Sequence, residues 1–581
     1  MKVGQPTFFI AMKISKPTRN FVSSDLVIND WASVEQYFTD LLDRDISSLE
    51  KFKQWLKDQS ELEAILEEDA AWRYIQMTID TRDEELSNAY TFFVSEIQPK
   101  IAPFEDKLNK KLNESSFVDA LESDSAYFIL FRSVRKALDL YREENVGLIS
   151  EVAEESQKFG AIAGAQSIEH NGEKITMQKA SVLLKEPNEA LRKDVFDKIT
   201  ERRKEDIEAF NNLFDSLLKK RHQIAVNAGF ENFRDYKMES MGRFDYSVEN
   251  CLEFHDSVKK VIVPIVKSIQ QKKLNLLGKD AYKPWDLSVD PEGKAPLKPF
   301  KTGDELLSST VNMFNRIDPY FGDCLETMHE MKHLDLESKE GKSPGGYNYP
   351  LYEIGVPFIF MNAVGSQGDV VTMVHEGGHA IHSFLSRDLE LTGFKNLPSE
   401  VAELASMSME LLSMEEWQEF YSEKDNFKRA KKEQLETVLK ILPWIAQVDE
   451  FQHWLYENHT HSPQERTAKW ISLCNEYGTG LTDWTNYEEV QENSWQRQLH
   501  IFEVPFYYIE YGIAQLGALG IWKNSLENKD LAIKNYKEAL KLAYTQSIPE
   551  IYETAGVRFD FTTNHIQNLA DFIKEQLSGL E

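Results

Sequence analysis

The sequence predicts a mainly α protein, a large helical body with one small β element beside the helix that carries its chemistry. Apolar residues recur at three- and four-residue steps over most of the chain, and Gly/Pro-rich irregularity is confined to two zones. No fixed-period repeat or low-complexity tract occurs. Over residues 31–220 the pattern is mostly helical, as in LEKFKQWLKDQSELEAILEEDAAWRYIQ and NEALRKDVFDKITERRKEDIEAFNNLFDSLLKKRHQIAVNAG. Residues 278–303 are dense in Gly and Pro and predict a long loop, with one short strand around 285–289. Residues 334–364 form the second irregular zone. There HLDLESKEGKSPGGYNYP reads as strand, turn and glycine loop, and VPFIFMN as a buried or edge strand. Helical periodicity then resumes nearly to residue 581.

Size and charge narrow the function. At roughly 150 residues per domain the chain allows about four domains, or one large two-lobed body with a deep core and a cleft. The formal net charge is −30, and no Lys/Arg block could neutralise a run of phosphates, so neither nucleic acid nor an anionic membrane is an expected partner. Hydrophobic residues make up 41% and aromatics 12%, too many for a disordered chain, and the mean hydropathy of −0.47 is that of a soluble one. Cys251, Cys324 and Cys474 are scattered without a CxxC pair, so neither a disulfide framework nor a thiolate zinc site is expected, and a reducing compartment fits best. No apolar stretch reaches the ~20 residues of a membrane span. The opening MKVGQPTFFIAMK lacks the core and cleavage pattern of a signal peptide, so the expected location is the cytoplasm.

The chemistry lies in DVVTMVHEGGHAIHSFL, which carries His375, Glu376 and His379 as HExxH. At ~100° per residue the two histidines lie ~40° apart on one helical face, one turn apart, as two imidazoles on one zinc ion require. Glu376 points ~100° to the side, outside the metal's own ligands but placed to act as general base on the attacking water. Gly377 and Gly378 each cost about 1 kcal/mol in a helix relative to Ala, which signals close approach by substrate or a neighbouring helix. A second HExxH, His329 to His333, is set aside because Lys332 would put a cation beside the metal and the strand LDL follows at once. A catalytic zinc needs a third protein ligand and one open position. In LPSEVAELASMSMELL, Pro398 and Ser399 read as a helix start, and Glu400, Glu403 and Glu410 share a face. Carboxylates amid Val401, Leu404, Met407 and Leu411 need a compensating cation. Glu403, 24 residues past His379, is the chosen ligand.

These motifs resemble the thimet-oligopeptidase family of zinc metallopeptidases, and within it the oligoendopeptidase F group. HEGGHAIH (His375 to His382) is similar to the family's HExGHxxH, and SEVAELASMSMEL (Ser399 to Leu411) to its distal glutamate helix. RHQIAVNAGFENFRDY with Arg243 and Tyr246, KSPGGY and HIFEVPFYYIEY also look alike. The resemblance implies one Zn2+ per chain on His375, His379 and Glu403, Glu376 as general base, and a helical ellipsoid with a deep channel that admits oligopeptides. Residues 1–200 would then be an N-terminal helical region and 201–581 the catalytic domain, the two forming one continuous body.

The developing oxyanion of peptide hydrolysis needs a donor besides the metal. His500 and the tyrosines of PFYYIEY are the candidates, with Tyr507, Tyr508 and Tyr511 within a ~100° arc of a helix started by Pro505. The resemblance assigns the role to His500 with Tyr507 or Tyr511; the spacing departs from the thimet branch, with Ala514 where another tyrosine is expected, so the choice of hydroxyl stays open. His382 reads as a core or supporting histidine rather than a ligand. Gly345 and Gly346 could line the channel, and VPFIFMN could take an extended peptide by edge addition, or both could be ordinary loop and core. His453, His459 and His461 are read as loop and packing residues because no carboxylate register accompanies them. The expected function is a zinc endopeptidase acting on short oligopeptides, with a dipeptidyl carboxypeptidase-like exopeptidase or a noncatalytic peptide-binding scaffold as rivals.

Overall fold

A computed structural model describes residues 12–339, 341–343 and 345–580. The N-terminal segment through residue 11, Glu340 and Pro344 of the KSPGGY stretch lie outside the described residues. What is described is predominantly helical, with two small sheets. Six helices position the groups that matter here: α1 (Val248–Leu276), α2 (Pro319–Glu330), α3 (Gln367–Ser386), α4 (Ser399–Ser413), α5 (Lys424–Glu457) and α6 (Tyr508–Glu527).

Two compact units interleave along the chain. Among the described residues, one comprises 12–139, 298–430 and 514–559; the other comprises 140–297, 431–513 and 560–580. In the first, a core of Phe52, Trp55, Leu62, Phe93 and Phe131 also takes in Leu391 and Phe394. Each such side chain contributes roughly 1.5–3 kcal/mol by leaving water. The Trp55 indole, fully buried, donates to the Leu41 carbonyl, so its one polar atom is satisfied.

The first unit also holds the β element expected beside the motif helix. Strands β3 (Leu334–Glu337), β4 (Tyr347–Tyr349) and β5 (Phe358–Ala363) form a sheet ordered β3-β5-β4, with β3 parallel and β4 antiparallel to β5. Strand β5 is therefore the centre of the sheet and not an edge: VPFIFMN is paired on both sides and nearly all of it is buried, which leaves no free ladder for a peptide. Gly346 packs against the Phe360 carbonyl and Thr372, where a Cβ would come within 3.4 Å of both, so its smallness serves the fit of β4 against β5 and α3.

The second unit contains a hairpin within the stretch read as mostly helical. Strands β1 (Ser167–His170) and β2 (Glu173–Thr176) pair antiparallel across Asn171 and Gly172, both at positive φ. An Asn-Gly pair with two left-handed residues is the turn a two-residue hairpin prefers. The strand expected near 285–289 is instead a 3-10 turn, Pro284–Asp286. Pro284 supplies a helical φ at its start, and the buried Arg192 holds it by donating to the Trp285 carbonyl and pairing with Asp286 at 2.6 Å. No helix among the described residues is long and apolar enough to cross a membrane.

Candidate metal centre

Helix α3 begins at a capping box in which Ser366 Oγ accepts from the Asp369 amide and Asp369 Oδ2 accepts from the Ser366 amide. This fixes the helix phase that sends His375 and His379 to one side. Their rings lie 5.0 Å apart at 84°. Helix α4, starting at Ser399 after Pro398 as expected, brings Glu403 to them: its Oε2 is 3.4 Å from His375 Nε2 and 3.7 Å from His379 Nε2. Ligands at ~2.1 Å from a tetrahedral zinc stand about 3.4 Å apart, so two imidazole nitrogens and a carboxylate oxygen here fit the ion's size and donor preference. His375, His379 and Glu403 form one of two groups among the described residues whose donors converge closely enough to hold a metal ion.

The glycines explain the closeness of α3 and α4. A Cβ on Gly378 would stand 2.6 Å from Ser406 Cα and 2.7 Å from the Ala405 carbonyl oxygen, both backbone atoms of α4. One on Gly377 would meet only the Phe314 ring, at 2.8 Å. Of the two causes expected for the glycine pair, a neighbouring helix is the one present.

Residues around the triad set its charge. Glu410, one of the three glutamates on the expected face, accepts from His375 Nδ1 at 2.7 Å, leaving Nε2 directed at Glu403. Ser406 Oγ donates to Glu403 Oε2 at 2.9 Å. Against burial, which lowers it, Glu403 and Glu410 raise His375 well above the ordinary histidine value. Burial pushes His379 down to about 4. Burial would raise Glu403, but His375, His379 and Ser406 bring it to about 2, so it is a carboxylate facing imidazoles. Glu376, 6% exposed, points off this group and is pushed up to about 7 by burial, opposed by His375 and reinforced by Glu403. Asn348 of β4 donates to the Glu376 carbonyl at 3.4 Å. His382 is buried, neutral with its pKa driven down to about 3, and outside the converging group. The sequence reading named no role for Glu410 or Ser406; a carboxylate seven residues after Glu403 on the same face was the available signal.

The second HExxH does not assemble. Helix α2 ends at Glu330, Lys332 takes a left-handed φ of 62°, and His333 turns inward to the Val356 and Pro357 carbonyls while His329 stays exposed.

In the second unit, His500 is surrounded by tyrosines, its ring 5.9 Å from Tyr507, 4.8 Å from Tyr508 and 5.8 Å from Tyr511. Gln498 Nε2 lies 2.7 Å from His500 Nδ1, and Gln498 is itself held by the Trp444 indole. The helix starts at Tyr508 and not directly after Pro505. Phe506 stands at a φ of 68°, its amide donating to Gln452 and its carbonyl accepting from Arg243, so a pinned left-handed residue breaks the helical run and leaves Tyr507 in the preceding turn.

A family model described as peptidase family M3 matches residues 182–571, and one described as the peptidase M3 N-terminal domain matches residues 21–141. The chain belongs to peptidase family M3. Membership makes it a peptidase, a hydrolase of the class the motif helix suggested. Among M3 relatives, it is 22% identical to an oligoendopeptidase F homolog of Borreliella burgdorferi over 91% of this chain and 91% of that protein. It is 25% identical to the chromosomal oligoendopeptidase F of Lactococcus lactis subsp. cremoris over 43% of this chain and 41% of that one. Its fold superimposes on a solved structure of PZ peptidase A with an inhibitor at a TM-score of 0.89, with 27% identity, covering 96% of this chain and 99% of the other.

Proposed function

We propose that this M3 peptidase is a zinc endopeptidase that cleaves internal bonds of oligopeptides, with His375, His379 and Glu403 as metal ligands and Glu376 as general base. The observation that carries the reading is the convergence of two imidazoles and one carboxylate at zinc-ligand spacing, with a buried carboxyl whose pKa lies near 7 beside them. The oligoendopeptidase F names of the relatives support the substrate class.

A bound zinc ion supplies Lewis acidity, which polarises the scissile carbonyl and makes water more acidic. Glu376 takes a proton from the attacking water; a carboxyl that titrates near the working pH can accept that proton and then return it to the leaving amine. Glu410 orients His375, and Ser406 orients Glu403. His500 with Tyr507 or Tyr511 is assigned the donor role toward the carbonyl oxygen, supported by their gathering in one cluster whose rings remain partly exposed. All these residues lie within 201–581, the proposed catalytic region, with 1–200 as the N-terminal helical region. The proposed setting is the cytoplasm.

The test is hydrolysis of a short, end-blocked fluorogenic peptide by wild type and Glu376→Gln, each with its zinc content measured. Internal cleavage by wild type, and a loss of about 10²–10⁴-fold in the variant at unchanged zinc, is the expected result. Zinc in both proteins without cleavage of the blocked peptide would remove the endopeptidase reading, and absence of zinc from both would remove the ligand assignment.

A further inference from the structure

Helices α1 and α5 meet through two pairs of side chains at i,i+4 spacing, Cys251 with His255 on α1 and Asp449 with His453 on α5. Each pair occupies one helical face, the same device by which His375 and His379 share theirs. His255 Nε2 lies 2.8 Å from Asp449 Oδ2, and His453 Nε2 lies 3.2 Å from the same oxygen. Donor atoms of Cys251, Asp449 and His453 all fall within 4.8 Å of one another. All four residues belong to the second unit, apart from the HExxH group. The carboxylate register that the sequence reading found missing for His453 is Asp449, one turn before it. His459 and His461 go elsewhere, the former stacking on His222 and the latter lying against Trp454.

The geometry points to a second metal site, in which Cys251, Asp449 and His453 hold a buried zinc ion that ties α1 to α5, with His255 positioning Asp449 through its Nε2. The four residues are 0–3% exposed. Despite that burial, Nδ1 of His453, Nδ1 of His255 and Oδ1 of Asp449 have no hydrogen-bond partner, and His453 Nε2 has only the Asp449 oxygen at 3.2 Å. Buried polar atoms are seldom left so, and an unsatisfied His453 nitrogen and Asp449 oxygen beside the Cys251 thiol call for a ligand. Phe254 and Phe506 pack edge-on against the histidine rings, an apolar wall that disfavours uncompensated charge. The charged groups nearby are Glu450, itself bound by Lys259 at 3.0 Å. One thiolate, one carboxylate and one imidazole are donors that zinc accepts, and their full burial suits a structural ion rather than one that exchanges substrate. This assignment is independent of the peptidase reading.

The deciding measurement is the metal content, by mass spectrometry, of the tag-free full chain carrying His375→Ala and His379→Ala, which leaves Cys251, Asp449 and His453 intact. One zinc equivalent retained per chain is expected, and two in the wild type. The double variant produced in cobalt medium should show a near-ultraviolet thiolate-to-cobalt charge-transfer band, and Cys251→Ser should abolish that band while circular dichroism reports an unchanged helical content. No retained metal in the double variant, or retained cobalt without the thiolate band, overturns the assignment. If Cys251→Ser does not fold, metal content and the band in the double variant decide alone. Loss of peptidase activity with the band intact would be a failure of the HExxH site only.

Discussion

Glu410 is the residue whose role is most sharply testable, because it touches His375 and none of the reacting atoms proposed here. Its carboxylate accepts the hydrogen bond from Nδ1–H and so keeps that nitrogen protonated and aims Nε2 at Glu403. Partners of this kind typically cost about 10–100-fold in metal affinity when removed. Glu410→Gln should weaken zinc binding by about that factor in a chelator competition, with activity restored by added zinc. A variant with wild-type zinc affinity but lost activity would place Glu410 in the chemistry instead. Glu376→Gln should behave in the opposite way, keeping zinc and losing turnover, so the pair separates holding the metal from moving the proton.

At the scale of elements, the contact of α3 with α4 is what makes the group of three possible, and the two glycines test it unequally. Either Gly→Ala change gains about 1 kcal/mol of helix propensity. At Gly377 the opposing atoms belong to the Phe314 ring, which can turn; at Gly378 they are backbone of α4, which cannot move without carrying Glu403 along. Gly378→Ala should therefore lower stability by about 1–3 kcal/mol or more and reduce zinc binding, while Gly377→Ala stays near wild type in thermal melts and zinc titration. Equal effects would mean the close approach is not what α3 requires.

The elements legible in the sequence are those whose signals are local. The His375–His379 step, the Pro398 start of α4 and the strands at 334 and 358 all appear where periodicity and punctuation put them. What escaped depends on partners distant in sequence. Strands β1 and β2 are short and mostly polar, so only Asn171-Gly172 betrayed them. The 3-10 turn at Pro284 is set by Arg192, and the left-handed Phe506 by Gln452 and Arg243, none of them neighbours in the chain. Whether β5 is central or an edge is a matter of sheet order, which its own apolar run leaves undecided. Glu403 was recognisable because one carboxylate face stood out among apolar neighbours, whereas Asp449 is one of several acids scattered along a mixed helix, with Glu450 beside it.

For the molecule as a whole, a net charge of −30 makes acid stability the property in which carboxylate pairing shows most clearly. Each unit has a buried acid bound by two cations: Glu353 by Lys16 and Arg19 in the first, Asp286 by Arg192 and Lys279 in the second. Burial would raise both, but the paired cations hold both below their ordinary values. A depressed folded-state pKa contributes stability that is complete above the unfolded-state value near 4 and disappears as pH falls through the folded-state value. The Asp286 side chain is fully buried and that of Arg192 nearly so, and breaking such a pair from one side costs about 3–5 kcal/mol because the other charge is left uncompensated. Asp286→Asn should thus melt well below wild type at pH 7, and the gap should narrow steadily below about pH 4, as wild type protonates the carboxylate that the variant lacks. Thermal melts of both proteins across that range check this: a gap that stays constant would mean Asp286 acts through packing or its hydrogen bonds and not through its charge.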